Sequence, residues 1–211
     1  VVSDKTWKNL QACAEAYGLP MAMLSPMKPW MCAQMLTLSA VTKAGYDAKM
    51  GTDHYFFQMA LKHKKHIVPL ETVGEQLDAI QRGLEPLGEQ VLAETIEELN
   101  DVDKSLGELV RCWREGDDKG LEKLLKEMDV GGEKAFEILL LDRNKKWVPK
   151  LENTFRTPIP PPKTDEQQAA QTESPKRYPK RLFVVVGAGH LVGRGSVVEL
   201  LQKRGWTVTR E

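Results

Sequence analysis

Apolar residues recur at helical spacing along most of the chain. Trp7, Leu10, Ala14 and Tyr17 share one face of a helix predicted to open at Asp4 and to stop at Gly18 and Pro20. Pro29 suits the first turn of the next helix, which runs to Thr42. Its residues are nearly all apolar or small, the mark of a buried helix. Methionines at 21, 23, 27, 31 and 35 read as core filler. Phe56, Phe57, Ala60 and Leu61 outline a helix from His54 to Lys64, with Asp53 as its cap. A further helix starts at Val73 and continues through Gln76, Leu77 and Ile80. Leu87 to Arg114 is one long helical pattern, Leu121 to Glu127 a short one, and Glu133 to Asn153 a second long one. The last carries Phe136, Leu139, Leu140, Arg143, Trp147 and Leu151 along a single stripe.

Elsewhere the pattern changes to unbroken apolar runs. His66 to Leu70 reads as a strand. Leu182 to Val186 is a run of apolar residues, which predicts a strand buried on both faces. Gly187 and Gly189 then permit a tight turn. Leu191 to Arg204 has a helical apolar face, Gly205 ends it, and Trp206 to Thr209 reads as a short strand. The expected fold class is α/β: a helix-rich chain around a small central sheet, closed by a C-terminal β-α-β unit.

Composition divides the chain. Residues 1–156 form the helix-rich part. Residues 157–180 open on Pro158-Ile159-Pro160-Pro161-Pro162 and turn polar, as a flexible linker does. Residues 181–211 hold the C-terminal unit of the same domain. With 30 basic and 30 acidic residues the formal net charge is zero, which gives no basic footprint for nucleic acid. No run approaches the ~20 apolar residues of a membrane span, and no signal peptide is evident. The opening Val1-Val2-Ser3-Asp4 reads like the middle of a domain, as in a processed or truncated chain. Cys13, Cys32 and Cys112 are too few and too widely spaced for a zinc-thiolate site or a disulfide scaffold.

Two polar residues each follow a predicted buried strand: Glu71 and His190. In open α/β sheets that rim is where ligands collect. His190 has three readings. It is a metal ligand or acid–base group, because imidazole titrates near neutrality and binds borderline metals; or a ring that only hydrogen-bonds a carbonyl; or part of a nucleotide loop. The last rests on Gly187, Gly189 and Gly193 after a strand, with the third glycine one residue late for the dinucleotide pattern. Glu71 is either a site acid or a carboxylate stabilising a helix N-terminus. Arg143 interrupts an apolar stripe, so it is expected to pair with a carboxylate or to clamp an anion.

Five stretches in order resemble the TraB/GumN family, which includes the Tiki proteases. They are Met27-Lys28-Pro29-Trp30; Gly51-Thr52-Asp53 with Phe56-Phe57; Leu70-Glu71-Thr72 with Gln76-Leu77; Arg143-Asn144 before Trp147; and Val186-Gly187-Ala188-Gly189-His190-Leu191 with Gly205-Trp206. The last matches the family's C-terminal G-x-x-H element. The resemblance implies a metal-dependent hydrolase, in particular a peptidase, using manganese or cobalt and acting on peptide substrates, with an extracytoplasmic or cell-envelope location. It implies His190 and Glu71 as metal ligands and catalytic groups, and Arg143, Asp53, Gly187 and Gly189 as substrate-binding or site-shaping residues. The family's first G-x-x-H is not recognised in the chain; Gly51-Thr52-Asp53-His54 fits its later G-x-D segment instead. The expectation is therefore half a site, little activity in isolation, and completion by an N-terminal segment or a second chain. The alternatives are a non-catalytic binding or scaffold protein with the same fold, and a nucleotide-binding β-α-β protein.

Overall fold

A computed structural model of the chain describes residues 2–127, 131–156 and 181–210. The expected linker at 157–180 lies outside them. Eleven α-helices occur among the described residues. They are α1 (Asp4–Ala16), α2 (Met21–Leu24), α3 (Pro29–Lys43), α4 (Thr52–Lys62), α5 (Val73–Leu84), α6 (Glu89–Glu98), α7 (Val102–Glu115), α8 (Asp118–Glu127), α9 (Gly132–Phe136), α10 (Asp142–Arg156) and α11 (Val197–Lys203). The main core joins α1, α3 and α6, with Leu10, Ala14, Leu36, Ala40, Val91 and Leu92 buried at its centre. A second cluster packs α11 on α10 through Trp147, Val148, Leu151 and Val197. Each fully buried aliphatic side chain of this kind stabilises by roughly 1.5–3 kcal/mol.

The expected α/β class is wrong. No strand and no sheet occur among the described residues, so there is no small central sheet and no C-terminal β-α-β unit. The three predicted strands, at 66–70, 182–186 and 206–209, are irregular segments. Their apolar residues do find cover in part, since Leu70 and Val186 pack against the second cluster. Pairing is a separate requirement: a strand exists only where its backbone donors and acceptors meet a neighbouring backbone. Among the described residues no ladder forms beside these runs. Phe183, 73 % exposed, shows that the run is not buried on both faces either.

Both long helical patterns are broken, each for a local reason. Between Leu87 and Arg114 the chain passes through a 3₁₀ turn, Leu99–Asp101. There the Asn100 side chain donates to the Glu97 carbonyl at 3.0 Å. Such side-chain bonds compete with the helix. Between α9 and α10 lies a π-helical turn, Glu137–Leu141, in which the Asp142 N–H donates to the Glu137 carbonyl. A π turn inserts one extra residue. The buried stripe of α10 runs through Asn144, Trp147, Val148, Leu151 and Glu152. Arg143, predicted within the stripe, lies beside it.

Candidate functional site

Three segments converge on the first turns of α10. The earliest in sequence is Leu70-Glu71-Thr72. Thr72 caps α5 in a capping box: its hydroxyl accepts from the Glu75 N–H at 3.1 Å, and Glu75 accepts from the Thr72 N–H at 2.7 Å. This fixes the entry of α5. Lys150 Nζ also donates to the Leu70 carbonyl at 2.8 Å, tying the segment to α10. Glu71 is thus presented to α10. It does not serve as an N-terminal acid of α5.

Arg143 grips that carboxylate twice, with Nη2 to Oε1 at 2.6 Å and Nε to Oε2 at 3.1 Å. Trp147 Nε1 donates to Oε2 at 3.1 Å. Arg143 Nη1 donates to the Leu139 carbonyl of the π turn at 2.9 Å, and its guanidinium lies 4.9 Å from the Trp147 ring centre. Both partners of the ion pair are largely covered. A bidentate pair with a third donor on a backbone carbonyl holds both side chains in one geometry. The carboxylate expected to meet Arg143 is therefore Glu71.

The third segment carries His190. Residues Ala188–His190 make one 3₁₀ turn, closed by the His190 N–H donating to the Gly187 carbonyl at 2.9 Å. The His190 ring is 6 % exposed and rests 4.4 Å from the Trp147 ring centre. Its Nδ1 lies 2.7 Å from Asn144 Oδ1, and Asn144 Nδ2 donates to the Gly195 carbonyl at 2.9 Å. Burial, and after it the Arg143 charge, push the His190 pKa down to about 4 against the opposing pull of Glu71. The ring is therefore uncharged at neutral pH.

Glu71, Arg143 and His190 thus share one cluster about Trp147. Asp53 does not join it. It is exposed in the first turn of α4, beside Gly51. Gly187 keeps an ordinary φ of −59°, and Gly189 packs against Leu125 and Leu140. Neither has the positive φ that a glycine-rich turn exploits. Gly193 and Gly195 do, at 74° and 76°. The nucleotide reading loses its strand, and of its three glycines only Gly193 has a positive φ.

The sequence marks Trp147 as a stripe residue and Asn144 as a polar neighbour of Arg143, and assigns neither a role at the site. An Asn on an apolar stripe is a usable signal, because a buried amide must find partners. A parallel arrangement sits at the other end of the stripe. Glu152 accepts from Arg204 Nε at 2.7 Å and from Trp206 Nε1 at 3.0 Å, which anchors the chain after α11 to α10.

The donor set fits a divalent ion only in part. An uncharged imidazole held through Nδ1 is the form that ligates through Nε2. Glu71 is poorly placed for the same task, with both oxygens already taken by Arg143 and Trp147. Among the described residues no group of three or more His, Cys, Asp or Glu side chains is arranged to hold a metal ion. No helix among them is long and apolar enough to cross a membrane.

The profile of the TraB/PrgY/gumN family matches residues 1–210. The chain is also 23 % identical over 201 residues to the uncharacterized protein YbaP of Escherichia coli K12, and equally to that of Shigella flexneri. Each alignment covers 95 % of this chain and 66 % of the relative, so the chain spans a little under two thirds of their length. No solved structure matches it.

Proposed function

Because the chain belongs to the TraB/PrgY/gumN family, we propose that the His190 cluster is its share of a metal-dependent hydrolase centre that cleaves peptide bonds. One observation carries the reading. His190 is buried and uncharged, its Nδ1 faces Asn144, and among the described residues its Nε2 makes no hydrogen bond. In this reading Nε2 ligates a manganese or cobalt ion. When bound, the ion would supply a Lewis acid and lower the pKa of its water. The remaining ligands come from a second chain or from residues beyond those described. Glu71 and Arg143 act as a brace: the pair holds Trp147, and Trp147 supports the imidazole. Glu71 is not assigned the proton-accepting role, because both its oxygens are engaged.

The reading is tested with Mn²⁺ titrated into the isotope-labelled chain. The paramagnetic ion should broaden the His190 ring resonances at lower concentration than those of His54, His63 and His66. A His190→Ala chain should lose the tightest Mn²⁺ site. Peptide hydrolysis by this chain alone should be slight. Equal broadening of all four rings, or unchanged Mn²⁺ affinity in His190→Ala, overturns the proposal. The saturation of Glu71 favours one rival, a non-catalytic binding protein, and those same outcomes are what that rival predicts.

A further inference from the structure

We propose that Asn144 is a positioning residue: it selects the tautomer of His190, keeping the proton on Nδ1 and the lone pair on Nε2. The inference follows from which atoms can donate. A backbone carbonyl only accepts, so the Asn144 atom 2.9 Å from the Gly195 oxygen is the amide nitrogen. That leaves Oδ1 toward His190 at 2.7 Å. Oδ1 also only accepts, so Nδ1 must carry the hydrogen. An uncharged imidazole has a single N–H, and Nε2 is then bare.

The amide cannot turn over without a double penalty. A flip sets oxygen against the Gly195 oxygen and directs N–H at the ring nitrogen. Asn144 is 1 % exposed, so bulk solvent does not reach either contact to repair it. Gly195 is itself fixed. Its N–H donates to Glu199 Oε2 at 2.5 Å, and its φ of 76° lies in the left-handed region that favours glycine. Free histidine prefers the opposite tautomer, with hydrogen on Nε2. The site therefore works against the intrinsic preference and depends on Asn144 to do so.

The use of this arrangement, presenting Nε2 to a metal, rests on the hydrolase reading. The tautomer itself does not. Long-range ¹H–¹⁵N correlation spectra of the ¹⁵N-histidine-labelled chain at neutral pH report which ring nitrogen is protonated, with His190→Gln identifying the signal. The expected result is Nδ1–H at His190. Asn144→Leu, close in volume but without an acceptor, should move the population toward Nε2–H. Asn144→Asp keeps an acceptor toward Nδ1, though it sets an oxygen against the Gly195 carbonyl, and should keep Nδ1–H. Wild-type His190 protonated on Nε2 overturns the proposal whether or not either variant folds, and so does an Asn144→Leu chain that retains Nδ1–H. In the metal-binding reading Asn144→Leu also weakens Mn²⁺ binding about 10- to 100-fold. A tautomer change without any loss of Mn²⁺ affinity leaves this inference standing and removes the hydrolase reading instead.

Discussion

Protonating His190 places a charge in a covered site beside Arg143, and folding has to absorb that cost. The unfolded ring titrates near 6.5 and the folded one at about 4. Between these values the unfolded chain binds more protons, so stability rises with pH. The contribution is complete above pH 6.5 and is lost as pH falls toward 4. At ~1.4 kcal/mol per pKa unit the loss is on the order of 3 kcal/mol. Urea unfolding from pH 4 to 7 should show it as a difference between wild type and His190→Gln; identical pH dependence in the two would refute it. Glu71 obeys a different logic. Removing it leaves Arg143 without its anion in a mostly covered position. Glu71→Gln should cost about 2–3 kcal/mol, somewhat under the range for fully buried pairs. Glu71→Gln with Arg143→Met should recover most of that loss. A double-mutant cycle by denaturant unfolding measures the coupling, and additive losses would mean that the pair is not coupled.

Within the elements, the glycines before and after His190 differ in kind. Gly187 has an ordinary φ, and the nearest atom a Cβ there would meet is His190 Cδ2 at 3.8 Å. Gly195 has a φ of 76°, and its Cβ would lie 2.8 Å from Leu141 Cδ2. Gly187→Ala should be nearly neutral. Gly195→Ala should cost about 1–2 kcal/mol for the left-handed backbone alone, and it should also disturb the His190 ring signals through the Gly195–Asn144 bond. Equal effects on thermal unfolding would contradict the assignment. Of the three glycines named in the sequence pattern, Gly187, Gly189 and Gly193, only the last has a left-handed φ; the G-x-G spelling after an apolar run looks like a phosphate loop whatever φ its glycines adopt. Sequence pattern did locate most of what meets at the site. An arginine on an apolar helix face requires a carboxylate, and Glu71 supplies it. The π turn was not legible, because one extra residue leaves no mark in composition; Asn144 was, since it lies three residues before Trp147 and seven before Leu151 on one helix face.

Over the whole molecule, helices were readable because their burial repeats every three to four residues, and strands were not because pairing is a property of two segments. The run Leu182–Val186 decides between the two pictures. Read as a strand covered on both faces, it should tolerate no charge. In the structure Val184 is 41 % exposed, while Val148 on α10, also aliphatic, is 2 % exposed. Val186 alone of the valines in this run packs on the α10–α11 cluster. Val184→Lys should therefore change stability by no more than about 0.5 kcal/mol, as surface substitutions do. Val148→Lys should abolish cooperative unfolding, since a lone charge there has neither water nor partner. Val186→Lys should fall between the two. Circular dichroism melts of the three variants separate the cases. A Val184→Lys chain as damaged as Val148→Lys would mean that the run is covered on both faces, and the helical architecture described for this end of the chain would then be wrong.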